Sequence, residues 1–201
     1  MKLIVMTSAD FFVEEDKILN SLFDEGLDLL HIRKPDSEPV YAERLLTLLP
    51  SDYHKRIIVH EHYYLKDEFG LGGIHLHHGA TAPAGYKGMM SASCHTLDEV
   101  KEMKSRMSYV FLSPVFDSIT APEHTAAFTA EQLIAARRQG IIDKKVMAVG
   151  GISVENIQQA KECGFGGVVV MGDIWTRFKK HNDIDFKELL HHFRTLRKAA
   201  D

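Results

Sequence analysis

Short runs of β-branched and apolar residues alternate along the chain with stretches whose apolar positions recur about every 3.6 residues. Eight such runs predict strands: Lys2 to Thr7, Asp28 to Arg33, Arg56 to His60, Gly73 to His77, Met89 to Cys94, Tyr109 to Leu112, Val146 to Val149 and Gly167 to Met171. Runs such as Ile57-Ile58-Val59 and Val168-Val169-Val170 are apolar at every position, the pattern of parallel strands covered on both faces. Helical spacing begins at Glu14, Val40, Leu97, Ala130, Val154 and Phe186. Thr96, Thr129 and Ser153 stand where N-caps are wanted, each with an acid or amide three residues on. Gly26, Gly140 and Gly164 follow helical stretches, where a left-handed residue closes the helix. From Gly79 to Gly85 the chain is so rich in Gly, Ala and Pro that one degenerate helix is expected there.

Eight strand–helix units in 201 residues, about 25 residues each, predict a (β/α)8 TIM barrel that fills 1–201 as one domain. A doubly wound sheet is the alternative. The longest irregular stretch, Asp117 to Ala127, follows strand 6, where long βα loops of barrels bind ligands or act as lids.

Composition narrows the function classes. The 24 Lys+Arg and 28 Asp+Glu give a net charge of -4 and are mixed along the chain, so no basic footprint for nucleic acid or an anionic membrane exists. No apolar run reaches membrane-span length, and Asp10, Glu14 and Glu15 arrive too early for a signal peptide. A cytoplasmic location is the expectation, with Cys94 and Cys163 reduced.

Twelve histidines are the unusual feature. His31, His60, His62, His75, His77, His78 and His95 fall at or just after the C-terminal ends of strands 2 to 5, and His124 in the long loop, which is the active face of a barrel. His54, His181, His191 and His192 read as solvated surface residues. The pairs His60-x-His62 and His75-x-His77 invite a metal reading, because alternate strand residues share a face and imidazoles suit Zn, Ni or Fe. A phosphate reading is stronger. Strand 7 runs into Gly150-Gly151-Ile152-Ser153 and strand 8 into Met171-Gly172-Asp173, two turns that present backbone N–H groups where barrels often hold phosphate.

The ordered motifs His31-Ile-Arg33, Gly73-Ile-His75-Leu, Ser93-Cys-His95-Thr96, Pro114-Val-Phe116, Ala148-Val-Gly150-Gly151-Ile152 and Val170-Met171-Gly172 resemble the thiamine phosphate synthase family and its sister group, the thiazole tautomerases. The resemblance implies a (β/α)8 barrel holding a thiazole phosphate on the loops after strands 7 and 8. The substrate-binding residues it implies are Arg33, Ser93, Ser118, Thr120, Gly150, Gly151, Ile152, Met171 and Gly172.

The chain departs from the synthase pattern in the diphosphate half of the site. Where that pattern reads Gln-x-Arg-x-Lys, this chain has His31, Arg33 and Pro35. Asn-Asp becomes His60-Glu61, an Asp becomes Ala80, and Thr-x-Thr-Lys becomes Ser118-Ile-Thr120-Ala121. Lost cations and a lost carboxylate weaken diphosphate binding. The resemblance therefore implies metal-independent tautomerisation of a carboxythiazole phosphate, with His31, His78, His95 and His124 as acid/base candidates and no cofactor. Pro114 stands where tautomerases carry a His. A divergent synthase using Mg2+ at Glu61, and a catalytically weak ligand-binding relative, are the alternatives. A homodimer is expected by analogy with small barrels.

Overall fold

The computed structural model describes residues 1–77, 79–121, 123, 125–178 and 183–201, the last stretch beginning with the backbone of residue 183. Eight strands close into a parallel barrel in chain order: β1 (Lys2–Met6), β2 (Leu29–Ile32), β3 (Ile57–Val59), β4 (Gly73–Leu76), β5 (Met89–Cys94), β6 (Tyr109–Leu112), β7 (Val146–Val149) and β8 (Gly167–Val170). β8 pairs back onto β1 with Leu3 opposite Val168. The (β/α)8 expectation holds. Helices α1 (Glu15–Asp24), α2 (Pro39–Leu48), α3 (Ser51–His54), α4 (Leu65–Glu68), α5 (Leu97–Met103), α6 (Ala130–Arg138), α7 (Ile157–Glu162), α8 (Gly172–Trp175) and α9 (Asp183–Ala200) surround it.

Alternation along each strand divides the core in two. Outward residues such as Leu3, Val5, Leu30, Ile57, Val110 and Val168 join Ile18, Leu22, Leu46, Leu133 and Phe193 from the helices in one large cluster. Inward residues Ile4, Met6, Leu29, Tyr109, Phe111, Met147 and Val169 form a second, separate cluster inside the barrel. Both faces are therefore dry, which is why several strands are apolar at every position.

Thr96 accepts the N–H of Glu99 at 3.1 Å, and Thr129 forms a complete capping box with Gln132. Ser153 is no cap. Its N–H donates to Asn156 Oδ1 at 3.0 Å while Asn156 Nδ2 donates to the Gly151 carbonyl, so the chain turns once more and α7 begins at Ile157 rather than Val154. Between β4 and β5 the expected degenerate helix is reduced to turns among the described residues, with Gly79 and Gly85 at positive φ. The ladders also end early: Arg33, His60, His77 and Met171 lie just beyond the paired residues, at the barrel mouth. Among the described residues no helix is long and apolar enough to cross a membrane.

Candidate functional site

The loops after β6, β7 and β8 meet in one cleft. It encloses about 490 Å³ including its open mouth and is lined by Met6, Ser118, Ile119, Thr120, Val149, Gly150, Gly151, Ile152, Val169, Met171 and Gly172. Seven sequence-derived binding residues are thus brought together, and Met6 and Val169 join them as inward strand residues that carry no motif. The two glycines have a geometric reason. Gly151 has φ 63°, and a Cβ there would lie 2.1 Å from the Asp117 carbonyl oxygen, so only glycine lets the two loops approach. Among the described residues the N–H groups of Gly150, Gly151 and Gly172, three residues that line the cleft, find no protein acceptor. Behind Gly172, Asp173 bonds Arg177 at 3.1 Å and His192 at 2.6 Å, which ties α8 to α9. Burial works to raise the Asp173 carboxyl, but these two partners hold it below its usual value. His192 is therefore a half-buried ion-pair partner rather than a solvated residue. His54 likewise bonds two backbone carbonyls, of Phe69 and Leu49, whereas His191 is exposed and His181 lies outside the described residues.

The ends of β2 to β4 make the other side of the mouth. Arg33 is half-buried, and its guanidinium makes no hydrogen bond or ion pair among the described residues. Lys34 does not substitute for the missing cation at Pro35. One residue earlier in a strand means the opposite face, and Lys34 is buried behind the barrel wall, 2.6 Å from Glu15 Oε1 and over the Phe11 ring. Burial outweighs their attraction, pushing the Glu15 carboxyl up to about 7 and the Lys34 ammonium below its usual value.

Glu61 accepts the Lys34 N–H with Oε2, while its buried Oε1 has no hydrogen-bond partner and lies 3.8 Å from the exposed His77 imidazole. Mg2+ is commonly held by one or two carboxylates, with substrate phosphates and water completing the shell. An unpartnered carboxylate oxygen beside the mouth fits the single-carboxylate case, and Ala80 supplies no second ligand.

His31, His60 and His75 converge inside the barrel, all three buried, with ligand atoms within 4.8 Å of one another. This trio replaces the sequence pairs. His62, with φ 53°, turns away to the Ser37 carbonyl, and His77 is exposed. The His60 and His75 rings stack at 4.2 Å and 15°, so their in-plane lone pairs run side by side instead of meeting at a common point. His31 Nδ1 faces His60 Nε2 at 2.9 Å, and its Nε2 faces the Tyr109 hydroxyl at 2.7 Å. Burial, reinforced by His75, drives the His31 pKa well below the usual imidazole value. With both nitrogens committed and no exposure, His31 is placed to organise the barrel interior rather than to reach a substrate proton.

His95 is exposed and its Nδ1 faces the Ser113 carbonyl at 3.1 Å, while His78 and His124 lie outside the described residues. Ser93, half-buried at the end of β5, bonds His75 Nε2 at 2.9 Å and stands apart from the glycine-lined cleft. Tyr109 and Ser91, which no motif marked, complete the interior polar group.

A sequence model described as thiamine monophosphate synthase matches residues 3–174, from β1 into α8. The chain belongs to the thiamine monophosphate synthase family. Curated members include the thiamine-phosphate synthase of Bacillus mycoides, 24% identical over 182 residues that cover 85% of this chain and 83% of that protein. The Thermus thermophilus thiamine-phosphate synthase is 28% identical over 155 residues, 73% of this chain and 74% of that one. Among solved structures, a thiamine phosphate pyrophosphorylase from Bacteroides thetaiotaomicron is 50% identical, with a TM-score of 0.91, covering 100% of this chain and 98% of that chain. Another from Pyrococcus furiosus, 16% identical with a TM-score of 0.76, shares the fold. The thiamine monophosphate synthase family is one of thiamine-biosynthesis enzymes, and the cleft residues at β6 to β8 fall within the matched span.

Proposed function

We propose that the chain is a thiamine-phosphate synthase that binds a thiazole phosphate in the cleft after β6 to β8 and joins it to a pyrimidine diphosphate. The observation that carries this reading is the set of unpartnered N–H groups at Gly150, Gly151 and Gly172, lining one cleft in a chain of this family. Backbone donors on two adjacent loops suit a phosphate dianion. In the reaction the thiazole nitrogen attacks the methylene carbon of the pyrimidine, the carbon–oxygen bond breaks, and diphosphate leaves with the bonding pair. Arg33, with its guanidinium uncommitted, is placed to hold that diphosphate in bidentate fashion. Mg2+ held at Glu61 would supply neutralisation of the leaving group's charge. The 50% identity to the Bacteroides pyrophosphorylase supports this choice over the tautomerase, as does the enclosure of His31.

The second reading, metal-independent tautomerisation of a carboxythiazole phosphate, is favoured by Ala80, which leaves Glu61 as a lone carboxylate. One assay separates them. Purified protein is given the pyrimidine diphosphate with thiazole phosphate, and separately the carboxythiazole tautomer, each with Mg2+ or EDTA. Thiamine phosphate and diphosphate formed with Mg2+ and lost with EDTA are expected. Turnover of the tautomer in EDTA, without thiamine phosphate from the other mixture, would replace the synthase by the tautomerase.

A further inference from the structure

A second cleft lies outside the barrel, between the loop that enters α1 and the facing side of α2, and it shares no lining residue with the glycine-lined cleft. It encloses about 910 Å³ including its open mouth. Tyr41, Arg44, Leu45 and Leu48 line it from α2 at i, i+3, i+4 and i+7, one stripe of the helix. Leu45 is buried, yet Tyr41 and Leu48 remain 54% and 52% exposed. From the other wall come Phe11, whose ring lies 5.9 Å from that of Tyr41, and Val13, which is 84% exposed. The chain then enters α1 through φ 70° at Glu14, a left-handed conformation uncommon for a residue with a Cβ. Large apolar side chains thus face solvent from both walls of one cleft, the kind of contiguous patch that marks an interaction surface.

The charges on this patch indicate its occupant. Of the charged residues that line the cleft, Glu14 is paired with Lys17 and Glu15 with Lys34, each at 2.6 Å. The Asp16 carboxylate on α1 and the Arg44 guanidinium on α2 make no hydrogen bond or ion pair among the described residues. One acid and one base are therefore left over, one on each wall. A two-fold axis running along the cleft sets α1 of one copy over α2 of the other, and the same operation brings Asp16 against the partner's Arg44 and Arg44 against the partner's Asp16. We propose that a second copy of this chain docks here, in a two-fold dimer centred on Val13, Tyr41 and Leu48 and held in register by the two Asp16–Arg44 pairs. The apolar centre supplies most of the affinity, while the charge pairs fix orientation and partner. A foreign partner would need an acid and a base in the reverse arrangement; a second copy has them by symmetry. The dimer does not depend on what the glycine-lined cleft binds.

Sedimentation velocity of the full chain at micromolar concentration should show a species of twice the monomer mass. Asp16→Arg makes both pairs cation against cation, and Arg44→Asp makes both anion against anion, so either variant alone should weaken dimerisation about 100-fold or more and sediment as monomer. Mixed in equal amounts, the two variants regain both pairs: the native Arg44 of one chain meets the native Asp16 of the other, and the two introduced charges meet each other. A dimer with one chain of each kind should then form. Val13→Asp, at a position too exposed to carry the fold, should also give monomer by placing a charge in the apolar centre. Circular dichroism checks that each variant keeps its native helix content, and Asp16→Lys takes the place of Asp16→Arg should the latter fail to fold. A wild type that sediments as monomer overturns the proposal and leaves the cleft to another occupant, a helix of a different protein or an apolar small molecule. Dimers that persist in all three variants put the interface elsewhere and overturn it too. Single variants that become monomeric and stay so when mixed overturn the pairing of Asp16 with Arg44.

Discussion

His31 Nδ1 and His60 Nε2 lie 2.9 Å apart in the barrel interior, a separation that holds one proton, so one ring donates while the other accepts. A second proton in that contact would set two N–H donors against each other with no lone pair between them. Burial and the neighbouring His75 keep both pKa values well below the usual imidazole range. For His75, burial first and the charges of His77 and Arg33 after it bring the value down to about 3.

Acid should therefore unfold this barrel earlier than its carboxylates alone require. An unfolded histidine takes up a proton near pH 6.5. The folded rings do not until much lower, so the unfolded chain binds more protons across that interval, and stability falls as the pH drops from about 6.5 toward 3. Denaturant midpoints should decline by an amount equivalent to several kcal/mol between pH 7 and pH 4. Midpoints that stay level over this range contradict the neutral cluster.

Lys34 and Glu15 should show strong coupling. Removing either partner leaves the other buried without its ion pair, so Lys34→Met or Glu15→Leu alone should cost about 3–5 kcal/mol. The double replacement should cost far less than the sum of the two. Thermal or denaturant unfolding of the four proteins completes the cycle. Additive losses would mean that the 2.6 Å contact contributes nothing of its own.

Gly151 and Gly140 both have positive φ, but their surroundings differ. A Cβ at Gly140 meets nothing within 4 Å, whereas at Gly151 it strikes the Asp117 carbonyl. Gly140→Ala should cost only the backbone strain of about 1–2 kcal/mol and leave thiamine phosphate binding intact. Gly151→Ala should destabilise more and weaken that binding, because relieving the clash moves a loop of the cleft. Calorimetric titration and melting of both variants decide the point, and equal behaviour would separate the cleft from the glycine geometry.

The barrel was readable because its strands are dry on both faces and punctuated by capping threonines and closing glycines, signals that lie within a few residues of each other. The cleft was readable for the same reason, since Gly150-Gly151 and Met171-Gly172 are local turns at two known strand ends. The histidine cluster was not, because its contacts depend on the lateral register of β2 to β6. His60-x-His62 looked like a pair on one strand face, yet β3 ends at Val59 and the backbone of His62 turns off the barrel. Ser153 failed as a cap because the Asn156 side chain reaches back and holds the turn. Lys34 shows the limit of motif matching: the charge is present, but one residue of phase sends it into the core.

Arg33→Ala should weaken pyrimidine diphosphate binding about 10- to 100-fold, the range of one or two charge-assisted contacts. Thiazole phosphate, which the synthase reading seats on the opposite side of the mouth, should bind nearly as before. Isothermal titration with each ligand measures the difference, and equal losses would assign Arg33 to the structure of the barrel end.

The most direct test of the cleft assignment is a crystal structure of the protein with thiamine phosphate. The phosphate should rest within hydrogen-bond distance of the backbone N–H groups of Gly150, Gly151 and Gly172, with Ser118 and Thr120 beside it. A phosphate bound elsewhere, with those three amides turned to protein acceptors, would contradict the assignment.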